Sequence, residues 1–220
     1  MHKLVLYVSL ILAYLGLSKL LSPSELGMDY ISNEAAMSKV FPGENVSAIL
    51  LDMHATGFFM DTYYQKYRLV YNFQSSEEVI VRTSKNFAKK NKHHIGLSLF
   101  RRIDGLEEII PMPPGSEYVG KKEFGEWVPS PQGGLVWKFF KAYKNLPLFL
   151  GWGEWTPTPA FVDAVKQAHY RQLPFFGVSN EFGSQGEITR QQFPDYFKKD
   201  RQNQQNLKTL LFSYFQENFR

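Results

Sequence analysis

Several places in this chain bring together residue types that do chemistry in other settings. Gly115-Ser-Glu-Tyr-Val-Gly120-Lys121 follows the G-x-x-x-x-G-K spacing in which backbone amides cradle phosphates. The next residue is Lys122 where Ser or Thr would hold magnesium, and prolines at 111, 113 and 114 stand where a strand should lead in. A Pro/Gly-rich surface loop is the expectation, with no nucleotide. His93-His94 would point to opposite faces of a strand, with lysines around them and no third ligand. Gly177-Val-Ser179-Asn-Glu181 has Glu in place of the last glycine of a nucleophile elbow. His54 and His169 read as packed or surface histidines. No cysteine occurs, which excludes disulfides, thiolate catalysis and thiolate metal sites.

The most suggestive cluster is Trp152-Gly153-Glu154-Trp155, with Asn180-Glu181 in a later loop. Exposed tryptophans stack on sugar rings, and two carboxylates at a suitable separation cleave glycosidic bonds. An envelope glycan-binding or glycan-hydrolysing protein using Trp152, Glu154, Trp155 and Glu181 is one alternative; tryptophans plugging the core at a turn are the plainer reading. Residues 66–102 carry nine basic residues against Glu77 and Glu78. Lys85, Lys89, Lys90, Lys92, Arg101 and Arg102 concentrate that charge, so a binder of anionic lipid or nucleic acid is a second alternative. No catalytic residue, metal or cofactor is assigned, and no small-molecule substrate is identified.

The elements that would position these residues begin with an apolar run. Leu4 to Leu17 has no charge, and Leu4 to Leu21, with Lys19 in its last turn, covers about 27 Å as a helix, close to a bilayer core of about 30 Å. The small-x-small cleavage pattern is missing after Leu17, so residues 1–22 read as an uncleaved transmembrane signal-anchor in which Leu4, Leu10 and Leu17 face lipid and Lys19 snorkels. Lys3 and the amino group precede the run, and residues 20–65 carry six acidic residues against Lys39. That asymmetry favours a cytoplasmic N-terminus and an extracytoplasmic bulk, periplasmic in a bacterium.

Residues 23–47 read as a tether with a short helix around Glu34 to Val40, and 48–220 as one domain. Strands are expected at Arg68 to Phe73, Glu78 to Thr83, Ile95 to Arg101 and Glu107 to Ile110, with turns at Ser75-Ser76 and Asp104-Gly105. Prolines and glycines make 111–134 a long connection anchored by Trp127. Leu135 to Tyr143 fits either a strand or a helix. Thr158-Pro159 opens a helix to about Gln172 with Phe161, Val162, Val165 and Ala168 on its buried face. Phe175 to Val178 reads as a short strand, and Asp195 to Phe219 as an amphipathic terminal helix. Strands first and helices later give an α+β domain with an antiparallel sheet and C-terminal helices.

The function these features favour is a noncatalytic single-pass accessory or scaffold subunit of a membrane protein complex. Its partners would be the bilayer, through the N-terminal helix, and other membrane subunits; nucleic acid is not expected. Lys85, Lys89, Lys90, Lys92, Arg101, Arg102, Trp127, Trp152 and Trp155 form the expected interaction surface.

Overall fold

The computed structural model describes residues 2–20, 28–56 and 61–198. Helix α1 spans His2–Leu20. Every side chain from 3 to 15 is exposed, so none of these residues is part of the packed core. Side chains from 16 to 20, including Leu17 and Lys19, lie outside the described ones. Among the described residues no helix is long and apolar enough to cross a membrane.

Strand β1 (Tyr30–Ile31) and helix α2 (Glu34–Val40) follow. The Asn33 side chain accepts the Ala36 amide at 3.1 Å, capping α2, and Phe41, Pro42 and Gly43 end it. Ile31, Met37, Phe41 and Val46 are fully buried. Residues 28–47, which composition alone makes a polar tether, are thus an edge strand and a helix folded onto the sheet. Their few apolar residues are spaced to face the core, a signal that overall polarity hides.

Strands β2 (Val46–Thr56), β3 (Thr62–Tyr71) and β4 (Ser75–Thr83) form an antiparallel meander. The β3–β4 hairpin forms, but it turns at 72–74, where Asn72 and Phe73 adopt positive φ, and Ser75 and Ser76 already pair in β4. Helix α3 (Lys85–Lys90) comes next, its first turn capped by Ser84 Oγ, which accepts the Phe87 amide at 3.1 Å. Strands β5 (Ser98–Ile103) and β6 (Leu106–Glu108) close the sheet through the Asp104-Gly105 turn, both residues at positive φ. Strand order is β1-β4-β3-β2-β5-β6, antiparallel except for the parallel β1–β4 pair.

The stretch 111–134 is no continuous loop. Strand β7 (Gly125–Pro129) pairs with β8 (Leu135–Phe139) around a turn in which Gly133 and Gly134 have positive φ. Leu135 to Phe139 is therefore strand, and a 3-10 turn at Lys141–Tyr143 precedes the short helix α4 (Leu146–Leu150). Helix α5 (Pro159–Tyr170) starts at the expected proline, although Thr158 supplies no side-chain cap. Residues 175–178 form no strand. Helix α6 (Glu187–Gln192) follows, and 194–198 are helical; the rest of the terminal helix expected over Asp195 to Phe219 lies outside the described residues. Mixed α+β architecture with an antiparallel sheet and helices is what the chain adopts.

One core joins these pieces. Phe41 packs edge-on against Tyr67 at 5.0 Å, and Trp152 lies against Phe139 at 5.4 Å.

Candidate functional site

Helix α5 has two working faces. Phe161, 1% exposed, drives one of them into the core beside Trp155 and Phe175. The other carries Val162, Val165, Lys166, His169 and Tyr170, which follow helical i, i+3, i+4, i+7, i+8 spacing. This second face stands off from the β5–β6 hairpin and leaves a groove of about 600 Å³. Arg101 and Ile103 of β5 with Leu106 and Glu108 of β6 line one side, two residues apart on each strand. The segment from Met112 to Lys121 supplies the end wall.

Gly115 explains how that segment is held. At φ +80° it sits where a Cβ would fall 2.4 Å from Leu150 Cδ1 and 3.0 Å from Trp152, so only glycine allows the close approach. Trp152 Nε1–H then donates to the Pro114 carbonyl at 2.7 Å. Gly120, the second glycine of the phosphate-loop spacing, faces Val162 of α5. Both glycines thus serve packing, and Tyr118 and Val119 between them are buried.

A buried polar pair lies in the groove. The Arg101 side chain, 3% exposed, donates to the Ser98 and Ile110 carbonyls at 3.2 and 2.9 Å and meets Glu108 Oε2 at 3.2 Å. Its Nε stands 4.0 Å from Glu117 Oε2, too long for a hydrogen bond. The Glu117 side chain is 9% exposed, and its Oε1 is buried with no hydrogen-bond partner. Burial pushes the Glu117 carboxyl above the ordinary carboxylate range, with the Arg101 charge opposing. Glu108 Oε2 also lies 3.5 Å from His169 Nδ1 at the mouth. Above these groups the rim is open and mixed, with Leu106 77% and Tyr170 89% exposed beside exposed Asp104, Lys121, Lys166 and His169.

The residues singled out by sequence are dispersed. Lys85, Lys89, Lys90 and Lys92 are exposed around α3, with Lys90 paired to Glu34. Arg102 is half-buried and holds the end of α2 to the hairpin. Its guanidinium donates to the Phe41, Gly43 and Ser38 carbonyls and to Glu107, at 2.6 to 3.0 Å. His94 is buried against Asn91, and burial lowers its pKa to about 4, helped by the charges of His93 and Lys90.

Trp152 is 2% exposed, so its face is not open to a sugar. Trp155 is half-buried edge-on to Trp152, Phe161 and Phe182. Trp127 is half-buried against Trp137 at 5.0 Å. Glu154 is exposed and lines a shallow cavity that does not include Glu181. Glu181 instead accepts the Ser179 amide at 2.9 Å, a local turn contact. Leu4 and Leu10 are exposed on α1.

Sequence patterns do not reveal the groove. Arg101 belongs by sequence to a run of surface charge, and Glu117 sits without distinction inside the phosphate-loop spacing. The i, i+3, i+4 recurrence along α5 is legible, but not that half of it faces an opening. No family model, curated protein or solved structure matches the chain.

Proposed function

We propose that this chain is a noncatalytic accessory or scaffold subunit of a membrane complex, anchored by α1 and presenting its α+β domain to partner subunits. The observation that carries the reading is the surface of α1. Leu4, Val5, Leu6, Leu10, Ile11 and Leu12 are 59 to 73% exposed, and such apolar side chains point in all directions around the helix. A helix apolar on every side needs a cover, and lipid supplies one without a matching protein face. The helix has 19 residues, about 28 Å of backbone. No described helix is long and apolar enough to cross a membrane, so the reading rests on the exposed apolar surface of α1 and not on its length. Lys3 in its first turn and the acidic residues after it favour a cytoplasmic N-terminus with the domain outside, against the opposing charge of Lys19 in its last turn. The open rim of the groove, with Leu106 and Tyr170, suits a subunit contact.

Flotation of the full chain with phospholipid vesicles, followed by an alkaline wash, tests the anchor. The chain is expected to float and resist the wash. The double variant Leu6→Glu, Leu10→Glu is expected to stay at the bottom, since each central charge costs about 3 kcal/mol on insertion. A wild-type chain left in the soluble fraction overturns the proposal. Co-purification from its own membrane in mild detergent then identifies the partner subunits, and recovery of the chain alone counts against the scaffold role.

A further inference from the structure

We propose that the groove between the β5–β6 hairpin and α5 is a binding site for an ammonium group carried on a short apolar stem. Glu117 Oε1 accepts the ammonium N–H, while Met112, Val119 and Val165 cover the stem. This goes beyond the anchoring proposal and does not depend on it.

Four observations carry the inference. First, Glu117 is more than nine-tenths buried, lines the groove, and has one oxygen without a partner. A buried acceptor left unmade is costly, and an incoming donor removes that cost. Second, among the described residues the one buried cation lining the groove is Arg101, whose guanidinium already meets Glu108 and two backbone carbonyls and reaches Glu117 only at 4.0 Å. His169, Lys121, Lys166 and Asp104 also line the groove, but all four are exposed residues that water screens.

Third, the walls are mostly apolar, so the body of the ligand must be apolar as well. Fourth, the oxygen offered is single. A guanidinium prefers a two-pronged partner, and Arg101 already stands on the Oε2 side, whereas a compact ammonium suits one oxygen. Among the described residues no three carboxylate or histidine side chains converge in the way a metal ion would need.

Such an ammonium has two sources, a free amine or a lysine of a polypeptide, and one experiment separates them. The full chain, labelled at Met, Leu and Val methyl groups and held in detergent micelles, is titrated with 3-methylbutylamine. Parallel titrations use 3-methylbutan-1-ol and the peptide Ac-Leu-Lys-Leu-NH2. The amine is expected to shift the Met112, Val119 and Val165 methyl signals saturably, and to bind at least about tenfold more tightly than the alcohol. Glu117→Gln is expected to erase that preference. Should this variant lose its dispersed methyl spectrum, Val165→Trp, which fills the groove from α5, is expected to abolish the shifts instead.

Tighter binding of the peptide supports the site and assigns the ammonium to a partner chain; tighter binding of the free amine supports it and assigns a metabolite-sized ligand. Equal affinity for amine and alcohol, amine binding unchanged in both variants, or no saturable shift of those methyls overturns the proposal.

Discussion

Arg101 and Arg102 are neighbours on one strand and do different work. Alternation along β5 sends Arg101 into the groove and Arg102 toward the end of α2, where three backbone carbonyls and Glu107 surround it. Ser38 and Arg102 in turn hold the Glu107 carboxyl below its ordinary range. His94 makes the residue scale measurable. Its pKa falls from 6.5 to about 4 on folding, so the unfolded chain binds the proton more readily between those values. Its contribution is whole above pH 6.5 and is lost as pH falls toward about 4. Allowing for the solvent still reaching the ring, we expect a loss of roughly 2 kcal/mol across that window. Urea midpoints at pH 4.5 and 7 check it: the His94→Gln variant should show a smaller difference between the two than the wild type.

At the scale of elements, turn chemistry and side-chain caps set the boundaries. Asp104-Gly105 reads as a hairpin turn and is one, because two positive-φ residues match the twist of the flanking strands. Glycines that look alike in sequence differ once packed. A Cβ added at Gly105 would meet nothing within 4 Å, whereas one at Gly115 would press on Leu150 and Trp152. Gly105→Ala should therefore cost only backbone strain, about 1 kcal/mol. Gly115→Ala should cost about 3 kcal/mol, because strain and overpacking add and the end wall of the groove must shift. Denaturant unfolding of both variants measures the contrast, and equal losses would refute this account of the segment.

For the whole molecule, the core among the described residues begins at Ile31 and gathers its largest rings around Trp152, with no described side chain of α1 in it. On the proposed reading of α1 as a membrane anchor, helix and domain should be thermodynamically separable. A chain lacking residues 1–27 is expected to keep the urea midpoint of the full chain, with stability changed by no more than about 0.5 kcal/mol, and to lose vesicle flotation. A large drop in the midpoint would mean that α1 stabilises the domain directly. The same core explains why the tryptophan cluster misleads: Gly151 and Pro157 flank it as they would an exposed loop. The ring of Trp152 is in fact the buried partner of Phe139 and of the Pro114 carbonyl.

Periodicity and punctuation in the chain determine α2, α5, the β3–β4 hairpin and the β5–β6 turn, because those signals act over a few residues. The apolar surface of α1 is equally local, since a helix without a polar face is visible in composition alone. Packing decided what those signals leave open. The β7–β8 hairpin lies hidden among prolines and glycines until a partner strand pairs with it. Burial of Arg101 and Glu117 depends on three segments, around residues 101, 117 and 165, meeting at one groove. Charge, burial and an unpaired oxygen at that meeting are properties of juxtaposition, which no window along the sequence contains.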